Sequence, residues 1–296
     1  MFNVLPGALA LALAALTVDE AVKPALAQEP PAVQEVMTRV GERVAVFYNR
    51  LRSVICIEVS KVQPIDVNNA PAGFARTVES ELRVEAGSGQ PFGEAAILRT
   101  IRRVNGRVPR DQDKKDRAGC TDPNPLSSEP LAFLLPAHRS EYQFRISGSA
   151  KDRNRAAVMI DFTSVDRRSY PELIEDPGGH EDCFDWSGHI ASRGRIWVDA
   201  RSYDVLRVER GLGGPVDVRV PAAIQRRYQL DSWVAIVRDD VTIRYKTVAF
   251  SNPDELLLLP ESVESLTVIR GGLQSSRRSQ TFSGYKRFVT GARMIR

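Results

Sequence analysis

Residues 194–210, GRIWVDARSYDVLRVER, contain the pattern that decides the fold. Side chains alternate on either side of a short polar connection, so that one face receives Ile196, Val198, Leu206 and Val208 and the other receives Arg195, Trp197, Arg207 and Glu209. A period of two is typical of strands that pack one face on a core. The connection, residues 199–204, is short enough to join antiparallel neighbours. The stretch therefore predicts a β-hairpin.

The same alternation recurs on both sides of this hairpin and predicts about ten strands. Asn105-Gly106 is the strongest short-range hairpin signal, because both residues tolerate positive φ. We expect strands at 53–62, 77–84, 96–104, 141–147, 156–162, 216–220, 233–238, 241–250, 262–270, 280–282 and 285–289. Polar connections are expected at 148–155 and 171–186, and Asp239-Asp240 is expected to end a strand. No fixed-period repeat is visible, which disfavours a propeller or a solenoid.

One amphipathic helix is predicted ahead of the strands, over residues 33–51. Its apolar positions are spaced three and four apart and fall on one face, namely Val33, Val36, Met37, Val40, Val44, Phe47 and Leu51. Such a stripe must be buried, and the sheet that follows is the available surface. No Gly/Ser-rich linker divides residues 28–296, so we expect one mainly β (α+β) domain with this helix packed on an antiparallel sheet.

The N-terminus resembles a secretory signal. An apolar run at 5–18, LPGALALALAALTV, precedes the small-residue site Ala25-Leu26-Ala27, which predicts cleavage after Ala27. The run is too short to span a bilayer, which takes about 20 apolar residues. No second apolar span follows, so we expect a mature chain without a transmembrane segment, exported to the periplasm or beyond. The alternative is an uncleaved helix that packs on the domain.

The three cysteines are consistent with export. Cys56 lies within an apolar strand and is most simply a small buried residue. Cys120 and Cys183 lie in polar, turn-rich stretches, and two such cysteines in an oxidising compartment favour a disulfide. Pairing of Cys56 with either one stays open, because sequence alone does not fix connectivity.

The charge pattern argues against a nucleic-acid partner. The formal net charge is +4, and charges of both signs are interspersed. A loose group of arginines between residues 102 and 110 is followed at once by Asp111, Asp113 and Asp116. A nucleic-acid binder usually collects its basic residues in one stripe.

Three stretches resemble an uncharacterised family of exported bacterial proteins: 194–210, LLLLPESVESLTVIRGG (256–272) and FSGYKRFVTGARMIR (282–296). The resemblance covers roughly residues 129–296. That family in turn resembles the periplasmic lipoprotein-carrier superfamily, which includes the outer-membrane lipoprotein receptor and a sigma-factor regulator that senses envelope stress. The shared element is a strand ending in an apolar-Asp pair, a turn and a departing strand, here Trp197-Val198-Asp199 and Val205-Leu206-Arg207. The chain differs from the carriers in length, in the segment from Cys120 to Cys183 and in its long loop at 110–125.

The resemblance implies a half-open curved sheet, an unclosed barrel around an apolar cavity whose mouth is plugged by helices. A bent sheet with an apolar concave face leaves room for an acyl chain. The candidate lining residues are Phe144, Ile196, Val198, Leu206, Val208, Ile243 and Tyr245. The alternative is that they form ordinary core, sealed by the helix at 33–51.

Catalytic and metal sites are not indicated. His180, Glu181, Asp182, Cys183, Asp185 and His189 crowd one segment, but their spacing matches no standard zinc site. Adjacent residues on a strand face opposite sides, which is wrong for a catalytic pair at Asp239-Asp240. No nucleophile elbow or phosphate-binding glycine loop is present. For Trp186, Trp197 and Trp233 we expect packing roles rather than ligand platforms.

These observations lead to one function and two alternatives. The first is an exported, non-enzymatic protein without cofactor that binds a lipid or a lipidated partner in an apolar cavity. The second is an envelope interaction or sensing module with a filled core and a protein partner. The third is a metal-dependent hydrolase that uses the His180–His189 segment.

Overall fold

A computed structural model describes residues 31–51, 53–85, 96–111, 113, 129–165, 170–175, 184–251 and 254–287. Within these ranges, thirteen strands join in one sheet. They are β1 (Val54–Ile65), β2 (Arg76–Glu85), β3 (Ala96–Val104), β4 (Tyr142–Asp152), β5 (Arg155–Ser164), β6 (Glu172–Glu175), β7 (Phe184–Ser187), β8 (Ser192–Asp199), β9 (Val205–Leu212), β10 (Val216–Arg219), β11 (Trp233–Ser251), β12 (Asp254–Arg270) and β13 (Ser275–Arg287). The helices are α1 (Pro31–Leu51), α2 (Glu129–Ala132) and α3 (Ala222–Tyr228), with a 3₁₀ turn at Arg139–Glu141.

The sheet is unclosed. Its main path runs β3-β2-β1-β13-β12-β11-β9-β8-β5-β4, so β3 and β4 form the two edges. All of these pairings are antiparallel, and one parallel contact, Arg219 opposite Glu172, joins β10 to β6. The predicted mainly β class, with a large unclosed sheet and an N-terminal helix, is confirmed.

Helix α1 packs its apolar stripe on the inner face of the sheet, as the spacing of that stripe predicts. Five of the seven stripe residues are buried: Val33, Met37, Val40, Val44 and Leu51. They share one core cluster with inner-face residues of nine strands. Cys56 belongs to this core as a free, buried thiol, and burial raises its pKa to about 12. No helix among the described residues is long and apolar enough to cross a membrane.

A small lobe stands on the beginning of β11. Strand β10 pairs with Trp233–Ile236, β6 and β7 extend from β10, and α3 lies between β10 and β11 in the chain. This lobe has its own apolar cluster, formed by Leu173, Val218, Val220, Ile224, Val234 and Ile236. Helix α3 has no counterpart among the predicted elements, and the predicted loop at 171–186 is wrong, because β6 and β7 lie there.

Several strands are longer than predicted. Strands β4 and β5 continue through the expected connection at 148–155 to a tight turn, where Arg153 and Asn154 both have positive φ. Asp239-Asp240 does not end a strand, because β11 is continuous and β12 pairs along it on both sides of that dipeptide. The two short C-terminal strands are one, β13. The Asn105-Gly106 turn is confirmed, with φ values of 49° and 76°.

The central hairpin forms as predicted, from β8 and β9, with one irregularity. The register shifts between Trp197 and Val198, whose partners are Arg207 and Val205. Leu206 is therefore an extra residue on β9, and it packs with Trp197 and Ala157 rather than with the core beneath α1. The predicted alternation, which placed Leu206 on the same face as Val208, is wrong at this one position.

Candidate binding sites

A cavity of about 360 Å³ lies beneath the second half of α1. We call it the helix cavity. It is bounded by α1, by the facing ends of β11 and β12, by α2 and by the turn between β8 and β9. Its lining residues are Arg43, Val44, Val46, Phe47, Arg50, Leu51, Leu131, Arg155, Asp204, Val205, Tyr245, Thr247 and Leu256–Leu259.

The apolar walls of the helix cavity come from two local patterns. On α1, Val44, Phe47 and Leu51 recur at helical spacing and point to the sheet. On β12, four consecutive leucines place apolar groups on both faces of the strand. Leu257 and Leu259 are buried in the core, whereas Leu256 is 66% exposed at the cavity mouth. The mouth is therefore open and apolar.

Tyr245 lies in the wall of the helix cavity with its side chain only 4% exposed. Its ring stands edge-on to Phe47, with 5.9 Å between the ring centroids. The hydroxyl group is buried and has no hydrogen-bond partner among the described residues. Burial raises the pKa of this hydroxyl above its usual range. A buried hydroxyl without a partner costs free energy, which a ligand oxygen would recover.

The rim of the helix cavity is basic. Arg43 donates to Asp204, with 2.6 Å between Nη2 and Oδ1, and Arg155 donates to Asp199 at 2.8 Å. The Ser202 hydroxyl also donates to Asp204, at 2.7 Å. Arg50 has no ion-pair partner within the described ranges. Two arginines are thus neutralised by carboxylates, and the third leaves a net positive charge at the mouth.

The seven predicted cavity residues lie in three places. Five of them form filled core beneath α1, namely Phe144, Ile196, Val198, Val208 and Ile243. Leu206 lies in the separate cluster with Trp197, and Tyr245 lines the helix cavity. The α1 and β12 walls are not among the predicted cavity residues, although the run Leu256–Leu259 is apolar on both faces of its strand.

A second cavity, of about 560 Å³, lies between the sheet and the small lobe. We call it the lobe cavity. Its apolar walls are Pro130, Tyr142, Leu173, Phe184, Trp186, Ile190, Leu212, Val218, Tyr228, Leu230, Val234, Ile236, Val241, Ile269 and Leu273. Its polar walls include Asp185, His189, Ser192, Arg210, Asp239, Ser265, Thr267, Gln274, Ser276 and Arg278. Trp186, expected only to pack, is therefore also a wall of this cavity.

Helix α2 separates the two cavities. Its consecutive residues Pro130 and Leu131 line the lobe cavity and the helix cavity, respectively. The backbone N–H of Leu131 donates to the Tyr48 hydroxyl of α1 at 3.1 Å. Phe133, just after α2, packs against Phe162 with 4.5 Å between ring centroids. The partition is thus held by α1 on one side and by the sheet on the other.

The discounted sites are only partly within the described residues. His180, Glu181, Asp182 and Cys183 lie outside them, as do Cys120 and residues 1–27. Among the residues that are described, no group of three or more His, Cys, Asp or Glu side chains could hold a metal ion. Asp239 accepts a hydrogen bond from Thr267, and Asp240 pairs with Arg238 of its own strand.

Comparison of the sequence finds no matching family model and no matching curated protein. Solved structures provide distant likenesses. A DUF1329 family protein from Desulfovibrio piger is 10% identical, with a TM-score of 0.40 and coverage of 87% of this chain and 94% of the other. A putative outer membrane lipoprotein-sorting protein domain from Vibrio parahaemolyticus is also 10% identical, with a TM-score of 0.38 and coverage of 86% and 94%. The Pseudomonas aeruginosa MucA/MucB complex contains a chain that is 12% identical, with a TM-score of 0.22 and coverage of 86% and 100%.

These neighbours include the lipoprotein-sorting superfamily that the sequence resembles. At such TM-scores the likeness bears on neither ligand nor partner.

Proposed function

We propose that this chain is an exported, non-enzymatic binding protein of the cell envelope that holds the acyl chain of an anionic lipid in the helix cavity. The observation that carries the proposal is the cavity itself, which combines apolar walls, an open apolar mouth and a basic rim. Sites for small ligands are typically concave, largely apolar and marked by a few placed polar groups. The helix cavity meets each of these conditions.

Energetic considerations set the expected affinity. Burial of ten methylene groups releases about 8 kcal/mol. Association costs at least about 4 kcal/mol in lost freedom of motion. The difference is at most about 4 kcal/mol, so we expect the methylene groups alone to give a dissociation constant of about 1 mM, and the polar contacts of the ligand head to tighten it.

Two side chains would position the ligand head. The Arg50 guanidinium, which has no described partner at the mouth, would pair with a carboxylate or phosphate. The Tyr245 hydroxyl, buried without a described partner, would donate to an ester or carboxyl oxygen. Both residues act by binding, and the proposal assigns no reaction to the cavity.

Titration of delipidated protein with dodecanoate, followed by calorimetry and native mass spectrometry, tests the proposal. Thr247 is exposed and lines the cavity, so Thr247→Trp obstructs it without replacing a buried side chain. Ala249 is exposed on the same strand, and Ala249→Trp is the matched control because Ala249 lies outside the cavity wall. We expect Thr247→Trp to weaken dodecanoate binding at least tenfold and Ala249→Trp to leave it unchanged.

The charge contribution is tested separately with dodecan-1-ol, which has the same chain without the carboxylate. Arg50→Gln should weaken dodecanoate binding several-fold and leave dodecanol binding unchanged. Arg226→Gln, which removes an exposed arginine of α3, is the control. Absence of any dodecanoate binding, or equal binding by wild type and Thr247→Trp, contradicts the proposal.

Export and the disulfide are parts of the same proposal that rest on the sequence. Fractionation of the native host should place the protein outside the cytoplasm, with Gln28 as its first residue. Non-reducing peptide mapping should recover Cys120 joined to Cys183. A cytoplasmic protein that retains Met1, or a bridge that contains Cys56, would count against these two points.

A second candidate function is binding of a protein partner. It is favoured by exposed apolar side chains at the end of the sheet where β1 ends, β2 begins and β3 ends. Val67 and Phe74 in the β1–β2 connection are 93% and 98% exposed, and Val108 after β3 is 81% exposed. Large exposed apolar groups gathered at one end of a sheet are typical of interaction surfaces. Co-purification with wild type and with Phe74→Ser separates the two candidates, because Phe74 is remote from the wall of the helix cavity.

A further inference from the structure

The lobe cavity contains a guanidinium group that has no partner among the residues described by the structure. Arg210 of β9 lies directly opposite Val241 of β11, on the face of the sheet where Val208 and Ile243 form the core. Its side chain is half-buried and lines the cavity. No carboxylate within the described residues pairs with it. A cation in this position, partly removed from water and unpaired, favours an anion as its ligand.

The two carboxylates that line the same cavity are already engaged. Asp239 accepts a hydrogen bond from the Thr267 hydroxyl, with 2.8 Å between Oγ1 and Oδ1. Asp185 accepts one from the backbone N–H of Trp186, also at 2.8 Å. His189 and Arg278 also line the cavity, and Arg278 adds a second guanidinium to it. The two guanidinium groups and the two carboxylates of the wall balance in formal charge, and Arg210 is left to pair with an anion because both carboxylates are held by other donors.

The rest of the wall is suited to a flat apolar body. Phe184 and Tyr228 meet edge to face, with 4.9 Å between their ring centroids. Trp186 and Tyr142 also line the cavity, and the apolar cluster of the lobe forms its floor. A volume of about 560 Å³ lies within the usual range for small-molecule sites.

We propose that the lobe cavity is a second, separate binding site, which takes a small organic anion with an aromatic or other compact apolar body and a single carboxylate, sulfonate or phosphate group held by Arg210. The aromatic side chains would enclose the body, and the guanidinium would form charge-assisted hydrogen bonds with the anionic group. We expect the two sites to take ligands of different shape. The lobe cavity is broad and has partly polar walls, whereas the helix cavity is narrow and has apolar walls.

A matched pair of fluorescent probes tests the proposal on the folded protein. 8-Anilinonaphthalene-1-sulfonate and N-phenyl-1-naphthylamine share one aromatic body, and only the first has a sulfonate. Both are titrated into protein that carries Thr247→Trp, so that the helix cavity is obstructed. We expect the sulfonate probe to bind at least tenfold more tightly than the neutral one. Arg210→Gln should abolish that preference, whereas Arg193→Gln, which removes an exposed arginine of neighbouring β8, should preserve it.

A second pair of variants tests the location of the site without altering the charge of the protein. Ser276 of β13 lines the lobe cavity, and Ser279 of the same strand is exposed outside it. Ser276→Trp should reduce binding of both probes at least tenfold, and Ser279→Trp should leave it unchanged. An unchanged sulfonate preference in Arg210→Gln, or undiminished binding in Ser276→Trp, overturns the proposal. Neither result bears on dodecanoate binding to the helix cavity, so the two proposals fail independently.

Discussion

The helix cavity and the lobe cavity lie side by side on one face of β11 but differ in chemistry. Tyr245 lines the first, Val241 and Asp239 line the second, and Ile243 is the one inner-face residue between them. In the helix cavity the charged groups stay on the rim, whereas in the lobe cavity Arg210 and Asp239 are part of the wall.

The difference follows from what covers the strand. Helix α1 covers its part of the sheet with a stripe of apolar side chains, which cannot satisfy a buried charge. The lobe covers its part with short strands and loops, whose backbone groups can satisfy polar side chains, as the Trp186 N–H of β7 does for Asp185. One strand can therefore supply two kinds of site.

The strongest way to disrupt both regions together is to alter the sheet that they share. Gly194 of β8 lies opposite Arg210, and a Cβ atom there would be 2.0 Å from the Glu209 carbonyl oxygen. We expect Gly194→Ala to cost at least about 3 kcal/mol, because backbone must move to admit it. Gly214→Ala is the control, since its Cβ would meet nothing within 4 Å. Thermal unfolding measures both variants, and an unchanged midpoint for Gly194→Ala would contradict the packing described.

Core substitutions should separate the two regions. Met37 in α1 and Ile224 in α3 are both buried, and neither lines a cavity. Each change to Ala should cost about 2–5 kcal/mol. We expect Met37→Ala to weaken dodecanoate binding, and Ile224→Ala to weaken binding of the sulfonate probe. Urea unfolding and the two titrations check this, and an identical binding profile for both variants would show that the regions are not independent.

The turn at the mouth of the helix cavity should respond to acid. Burial alone would raise the pKa of Asp199, but hydrogen bonds from the backbone N–H groups of Ser202 and Arg201, and the nearby Arg155 guanidinium, together hold that pKa below its usual value of 3.8. A lowered pKa stabilises the fold above pH 3.8, and this contribution is lost as the pH falls through the folded-state pKa.

Asp199→Asn removes the charge but keeps an acceptor oxygen. We expect a loss of about 1.5 kcal/mol at pH 7 and a smaller difference from wild type at pH 3. Urea unfolding at the two pH values measures this effect. A difference that grows towards pH 3 would refute the assignment.

The smallest expected effect is a gain of stability. Tyr245→Phe removes a buried hydroxyl that has no described partner, so the ligand-free protein should become more stable by about 1 kcal/mol. The same change should weaken dodecanoate binding if the hydroxyl holds the ligand. Thermal unfolding with and without dodecanoate measures both effects, and a loss of stability in the ligand-free protein would show that the hydroxyl is satisfied.

The sequence predicted well where one face of an element is apolar and the other polar. The α1 stripe, strands such as β2 and β3, and the Asn105-Gly106 turn all follow from that pattern. The prediction failed where a neighbouring strand continues the pairing through a polar stretch. Asp239 and Asp240 lie within a strand because β12 supplies the neighbouring ladder there. Local propensity does not contain that information.

The sites were harder to predict than the fold. Alternation along β8 and β9 correctly found inner-face residues such as Ile196 and Val208, but these fill the core. A cavity is a property of several elements together, since it forms where α1, α2 and the β11–β12 hairpin do not close completely. Arg210 was not predicted as a site residue. A shift of register by one residue turns an outward-facing arginine of an alternating strand inward, and the pattern of the sequence is the same in both cases.

Helix α2 contributes a wall residue to both the lobe cavity and the helix cavity. Pro130 and Leu131 are consecutive residues of the same turn. A displacement of this turn that enlarges one cavity would therefore also change the volume of the other. A ligand in one cavity that displaces this turn would change the affinity of the other cavity for its ligand. Thermodynamic linkage requires that this effect be equal in both directions.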